Sequence, residues 1–559
     1  MLSISPQYLP LSKLFVGRLF RIPEFQRAYS WTSRQRRDLF GDIRKIHSKG
    51  ADESHFMAAV VCLRRETQRL GTDDFDVLDV VDGQQRLTTL IILMNTIRLS
   101  LSKTEESQKK LSNELASLLV KEEGDELLLL QTNHDSSHHF TNFLRKGEAP
   151  SSDTANTSAD LEVLRAVEDC RNFVDEWVQK GLSLPDLVAI LKNRLYFLLH
   201  EIDDEKSVYT VFEVLNSRGL DVSWLDRLKS ILMGMAFEMK KNANKVGVIA
   251  DLHKHWRDIY AAIGLRETMS REVLRFAATL KNGDAPSRPL GEQDSVELLR
   301  SLATDASLIR QVASWVLAVT KACHTVTSNP RINAVTRISQ ARLLATAICL
   351  RNDITIAQRK KLLDHWEKVT FRIYGMLGND ARVRVGDYVR LAWRVVNEKL
   401  SVEDIGLAIG EIGSEFPIER AVEALAKANC YEGWESELRY FMFRYEEHLC
   451  HKMGLNFKNE QWAKVWMVSP SDSIEHIWPK SKAKVNSKHR IGNLVLLSPN
   501  LNSKLQDISP KAKADAYRQT GLLIAGEVAN TIEASGWNAK SIAAREKVLL
   551  EWASAEWAD

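Results

Sequence analysis

"FDVLDVVDGQQRLTTLIILMNTI", residues 75–97, changes its hydrophobic period in the middle. Up to Val81 it has the short, densely apolar pattern of a buried strand. From there Leu87, Leu90, Ile91, Met94 and Ile97 recur at the spacing of one helical face. A strand therefore runs straight into a helix, with Asp82 and Gly83 at the junction. The junction has two readings. In the first, Asp82 is the N-cap, Gln85 the return arm of a capping box, and Gly83 a tight-turn residue. In the second, the free N–H groups of the helix start, with Arg86 adding a fixed charge, hold a phosphate. The physics leaves both open.

Outward from this stretch, "LFRIPEFQRAYSW" (19–31) begins apolar and extended, and "HFMAAVVCLRR" (55–65) reads as a buried strand. Residues 101–145 read as helical and 147–160 as a polar loop. Amphipathic helix then dominates to about residue 450, apart from a strand around Leu195–Ile202 and a loop at 283–295. After Tyr431 short strand-like runs return. These patterns predict a multidomain, predominantly α-helical α+β chain. Its parts are a mixed N-terminal domain (1–235), a helical middle (236–430) and a small mixed C-terminal domain (431–559).

Composition narrows the class. Hydrophobic content of 44% and charged content of 27% are those of a globular protein. The N-terminus lacks the basic and apolar regions of a signal peptide, and "LTTLIILMNTI" (87–97) is too short to span a bilayer. A cytoplasmic protein without membrane contact is expected. The six cysteines are scattered with no C-x-x-C pair, which suggests neither a disulfide framework nor a structural zinc site. A formal net charge of +3 does not by itself argue for nucleic acid.

Local charge does. "SIEHIWPK" (473–480) puts Glu475 and His476 side by side on an expected strand, where neighbouring side chains face opposite ways. A histidine can deprotonate water, and an oxygen-bound cation can stabilise a leaving oxygen. In "HRIGNLVLLSPNLNSKL" (489–505), Asn493 enters a second strand. Asn502 follows Pro499 on a short helix and offers a neutral oxygen suited to Mg2+ or Mn2+. Lys480, Lys482, Lys484, Lys488, Arg490, Lys504, Lys511 and Lys513 surround them, with Asp507 the one acid between residues 476 and 513. That field suits the phosphates of double-stranded DNA. A Glu-His pair alone is more often structural than catalytic; the order strand, turn, strand, helix and the two asparagines shift the balance.

E-H-I-x-P, G-N-L-x-L-L and the following asparagines resemble the ββα-metal (HNH, His-Me finger) nuclease domain, and more narrowly the C-terminal domain of GmrSD-type restriction enzymes. The likeness covers residues 435–545. It implies that His476 is the general base, Glu475 and Asn502 the metal ligands, and Asn493 the brace of the histidine loop. Glu475 stands where many such sites have Asp. D-G-Q-Q-R-L-T-T-L resembles the ParB-like N-terminal domain of the same family. "IPEFQRAYSW" resembles its early I-P-x-x-Q-R motif, and "VFEVLNSRGLDVSWLDRLKS" (211–230) its F-E-x-x-N-x-R-G segment.

The resemblance, which extends to SspE-like defence nucleases, implies an NTP-binding sensor joined to a nuclease that cuts foreign or modified DNA, with GTP or ATP undecided. Asp82, Gly83, Gln84, Gln85 and Arg86, with Gln26 and Arg27, become nucleotide-site candidates. Asn216, Arg218, Tyr29, Trp31, Lys504 and Lys511 are candidates for further nucleotide or DNA contacts. No G-x-x-x-x-G-K-[ST] occurs, so an NTPase here is not of the P-loop type. The helical middle is the candidate for positioning DNA, relaying nucleotide state or forming a homodimer. The alternative is a nucleotide-dependent DNA-binding module with an inactive nuclease domain.

Overall fold

The computed structural model describes residues 6–558 except 24–28, 49–53, 71–72, 103, 122–126, 133–136, 148–157, 204–223, 239–242, 264–266, 330–334, 336–337, 457–472, 482–484, 498 and 506. Gln26, Arg27, Asn216 and Arg218 lie outside the described residues. The chain divides into two compact units, residues 1–278 with 291–320, and residues 279–290 with 321–559. The helical stretch from 236 to 430 is shared between them. The architecture is α+β and mostly helical.

The first unit is built on a mixed sheet. Its strands are β1 (Gln7–Pro10), β2 (Arg18–Ile22), β3 (His55–Leu70) and β4 (Asp73–Asp82). A small hairpin of β5 (Val120–Lys121) and β6 (Leu127–Leu128) stands apart, and β7 (Leu130–Thr132) and β8 (Leu195–Ile202) complete the sheet. The order is β1-β8-β3-β4-β2-β7. β3 runs parallel to β8 and antiparallel to β4, and β2 runs parallel to both β4 and β7. Residues 101–145, expected to be helical, form two helices, Glu106–Leu119 and Ser137–Lys146, with β5, β6 and β7 between them. The apolar run Leu127–Leu130 fits a strand as well as a helix, and pairing decides it, Leu127 and Leu128 with β5 and Leu130 with β2.

The helix Gln84–Ser100 is buried nearly all round, so it belongs to the core and not to the surface. Three of its polar side chains bond to backbone: Thr89 and Thr96 donate to the carbonyls of Gln85 and Ile92 one turn back, and Asn95 Nδ2 donates to Phe143 O on another helix. Arg36, fully buried, ties the helix Ser33–Ser48 to the helix Ser158–Gln179 through Asp169 (2.7 Å) and Glu162 (3.0 Å).

The second unit is helical around a cluster of Phe371, Tyr440, Phe441, Trp552 and Trp557. Buried Glu446 caps a neighbouring helix: its two oxygens accept from Leu523 and Ile524 N–H at 2.7 Å each. On this body lie β9 (Ile474–His476) and β10 (Leu494–Leu496), antiparallel, with His476 opposite Leu494 and Glu475 opposite Val495. The turn into β10 is clamped by the helix Ala539–Glu556. Arg545 donates to the carbonyls of Gly492 (3.0 Å) and Leu494 (2.8 Å). A Cβ on Gly492 would stand 2.2 Å from the Ile542 carbonyl oxygen, so only glycine fits there.

Candidate active site

At the start of the helix Gln84–Ser100, Gly83 occupies the N-cap position with φ +97°. A Cβ there would meet Val60 and the Ala59 carbonyl at 3.1–3.3 Å. The capping box does not form. Asp82 folds onto the next residue, its Oδ1 accepting from Gly83 N–H at 2.9 Å. Gln85 reaches away from the helix, and its Oε1 accepts from Ser30 N–H at 2.8 Å. Gly83, as the N-cap residue, has no side chain with which to cap the first turn.

Tyr29 and Trp31 part company. Tyr29 is buried with its hydroxyl 2.8 Å from Thr89, so its ring is core and not open to a base. Trp31 is half-buried, and the Arg86 guanidinium lies over its ring at 5.7 Å. Burial lowers the proton affinity of Arg86, opposed by Asp82 and Asp42. The junction therefore gathers a helix N-terminus, a guanidinium and an aromatic face.

In the second unit, strand alternation sends Glu475 and His476 to different surroundings. Glu475 points into the protein. Its Oε1 accepts from Lys513 Nζ at 2.5 Å and from Tyr517 OH at 3.2 Å, and Lys513 also donates to His476 O at 2.9 Å. Burial pushes the Glu475 carboxyl up while Lys513 opposes the shift. Lys513, expected in the basic surface, is fully buried in this pair.

His476 lies on the other side. Its Nε2 is 3.1 Å from His489 Nδ1, and the Tyr431 ring meets it edge-on at 4.7 Å. Burial, then Lys480, His489, Lys488 and Lys513, push His476 down to about 3. His489 and Tyr431 escaped the sequence reading because the fold, not sequence spacing, brings them to His476.

Asn493 is fully buried and joins the two flanks of His476. Its oxygen accepts from Trp478 N–H (2.9 Å) and Trp537 Nε1–H (3.3 Å), and its nitrogen donates to Trp478 O (3.2 Å) and Lys488 O (3.1 Å). It holds the chain after β9 against the chain before β10. Asn502, on the helix Pro499–Leu505, donates to Ile474 O at 3.1 Å. Lys480, Lys504 and Lys511 are exposed, whereas Arg490 is paired with Glu546. Lys480 Nζ sits 3.9 Å above the Tyr431 ring. Arg390 and Arg394, on a helix of the second unit, pair with Asp387 and Glu398 as a solvated face does.

The residues as placed do not fit a cation held by Glu475. The Lys513 ammonium already occupies the carboxylate, and a second positive charge would repel it. Among the described residues no group of three His, Cys, Asp or Glu side chains is gathered closely enough to hold a metal ion.

Two family models match the chain: the N-terminal domain of GmrSD restriction endonuclease over residues 11–233, and the C-terminal domain of GmrSD restriction endonucleases over residues 417–552. The first match contains the residue 82–86 junction and the second contains the His476 cluster. No curated protein matches the chain. No described helix is long and apolar enough to cross a membrane.

Proposed function

Because the chain belongs to the GmrSD-type restriction endonucleases, we propose that it cuts foreign DNA with His476 as the general base of an HNH-type centre, under control of a nucleotide bound at residues 82–86. The observation that carries this reading is the placement of His476, held between His489 and Tyr431 with Lys480 over the Tyr431 ring, a setting that suits a phosphate. In the reaction His476 takes a proton from water and the resulting hydroxide attacks phosphorus. The P–O bond to one sugar oxygen breaks, and that oxygen leaves as the alcohol once protonated from solvent. Lys480 and Lys488 hold the phosphate. Burial is the main cause that holds the proton affinity of His476 down; DNA phosphates offset the smaller contribution of the lysines, so bound DNA raises it in part.

Lys480 gives a first test. Lys480→Ala weakens binding of all sequences alike and lowers the slope of log affinity against log salt by about 1. Filter binding at several salt concentrations measures this. An unchanged slope contradicts a phosphate contact at Lys480.

Mg2+ or Mn2+ is the proposed cofactor of cleavage. Glu475 and Asn502 are its proposed ligands, and this requires Glu475 to exchange Lys513 for the ion. The Glu475–Lys513 pair favours a second reading, a nucleotide-dependent DNA-binding module with an inactive nuclease domain. That reading predicts salt-sensitive DNA retention without strand breaks.

For control, the nucleotide is proposed to place phosphate at the helix N-terminus at Gln84–Arg86, with Arg86 as its charge partner. Arg86→Ala is expected to weaken GTP or ATP binding about 10-fold or more, the worth of one charge-assisted contact. Calorimetric titration of the full chain checks it. Equal affinity in the variant would place the nucleotide elsewhere.

A further inference from the structure

The contact between His476 and His489 has a direction, because one of the two facing nitrogens carries the proton and the other accepts it. Beyond it, His489 presents Nε2 to Glu432, 3.6 Å from Oε1. Glu432 is itself held: Asn429 Nδ2 donates to its Oε2 at 3.0 Å, and Asn429 Oδ1 accepts from the N–H groups of Tyr431 and Glu432 at 3.1 Å. The His489 carbonyl accepts from Cys430 N–H at 2.9 Å. Tyr431 stacks on His489 with ring centroids 5.2 Å apart and planes 10° from parallel. Residues 429–432 thus hold the His489 backbone, cover one face of its ring and place a carboxylate beside its Nε2.

A carboxylate beside Nε2 favours the tautomer with the proton on that nitrogen. Nδ1 of His489 then accepts, and the shared proton belongs to Nε2 of His476. We infer that His489, oriented by Glu432, is a positioning residue that sets His476 in its Nε2–H tautomer and leaves His476 Nδ1 as the basic nitrogen. The inference rests on the reading of His476 as the base in DNA cleavage. In the opposite arrangement neutral His476 carries its proton on Nδ1, and no lone pair faces the water. When Nδ1 takes the water proton, the imidazolium keeps its Nε2–H bond to His489, and Glu432 stabilises the positive charge through that ring.

The test uses the full chain with supercoiled plasmid and Mg2+ or Mn2+. His489→Leu removes the acceptor, while His489→Asn puts a carbonyl oxygen near the place of Nδ1. The expected result is a fall in kcat of about 10- to 100-fold for His489→Leu. KM for DNA should stay unchanged, and most of the rate should return in His489→Asn. In 15N-histidine-labelled full chain, His476 should show the Nε2–H pattern in wild type and lose it in His489→Leu, a readout independent of cleavage. His489→Leu cutting at the wild-type rate while His476→Ala does not cut would overturn the inference and leave the base in place. An Nδ1–H pattern at His476 in the wild type would overturn it too. Wild-type cutting by His476→Ala would remove the underlying reading.

Discussion

Lys513→Met lowers the unfolding free energy of the second unit by about 3–5 kcal/mol, the cost of leaving a buried charge without its partner. Lys513 has no exposed surface, and its ammonium bonds both the Glu475 carboxylate and the His476 carbonyl. Methionine fills similar volume but leaves the carboxylate with the Tyr517 hydroxyl as its remaining side-chain donor. Glu475 must then take up a proton or draw water into the core beneath β9. The double substitution Glu475→Leu with Lys513→Met removes both charges and should recover much of the loss. Denaturant unfolding followed by tryptophan fluorescence measures both variants, with the transitions of the two units fitted separately. Equal stability of Lys513→Met and wild type would mean that the pair is not closed in solution.

What the sequence makes legible here is mostly what periodicity encodes. Residues 75–97 switch from strand to helix where their apolar spacing switches, and β8 forms where a strand was expected. The opposite environments of Glu475 and His476 follow from strand alternation alone. What each of them meets does not. Lys513 reads as one more surface lysine in a basic stretch, and only the packing of the helix Pro510–Gln519 against β9 puts it inside. The capping box was lost for a similar reason: Gln85 finds a tertiary partner in Ser30, and a local pattern cannot foresee it. Tyr29 and Trp31 look alike in sequence, yet Thr89 takes one into the core and Arg86 lies over the other. His489 and Glu432 became visible only once the fold brought residues 429–432 and 489 to His476.

The largest effect on activity is expected from His476→Ala. On the proposed reading the variant loses the general base, and general-base catalysis is worth about 10²- to 10⁴-fold in rate. DNA affinity should stay near wild type, because Lys480, Lys504 and Lys511, the proposed phosphate contacts, are untouched. A loss of cutting with binding retained therefore separates a chemical role from a structural one. Tryptophan fluorescence and unfolding of the variant guard against a collapsed β9–β10 pair.

The measurement that bears most directly on the account is nicking of supercoiled plasmid and of modified and plain phage DNA. Wild type and His476→Ala would be compared with Mg2+ or Mn2+, with and without GTP or ATP. The account predicts breaks by the wild type that respond to nucleotide and to DNA modification and that disappear in His476→Ala. Folded wild-type protein that binds DNA and leaves every strand intact under all of these conditions would contradict it.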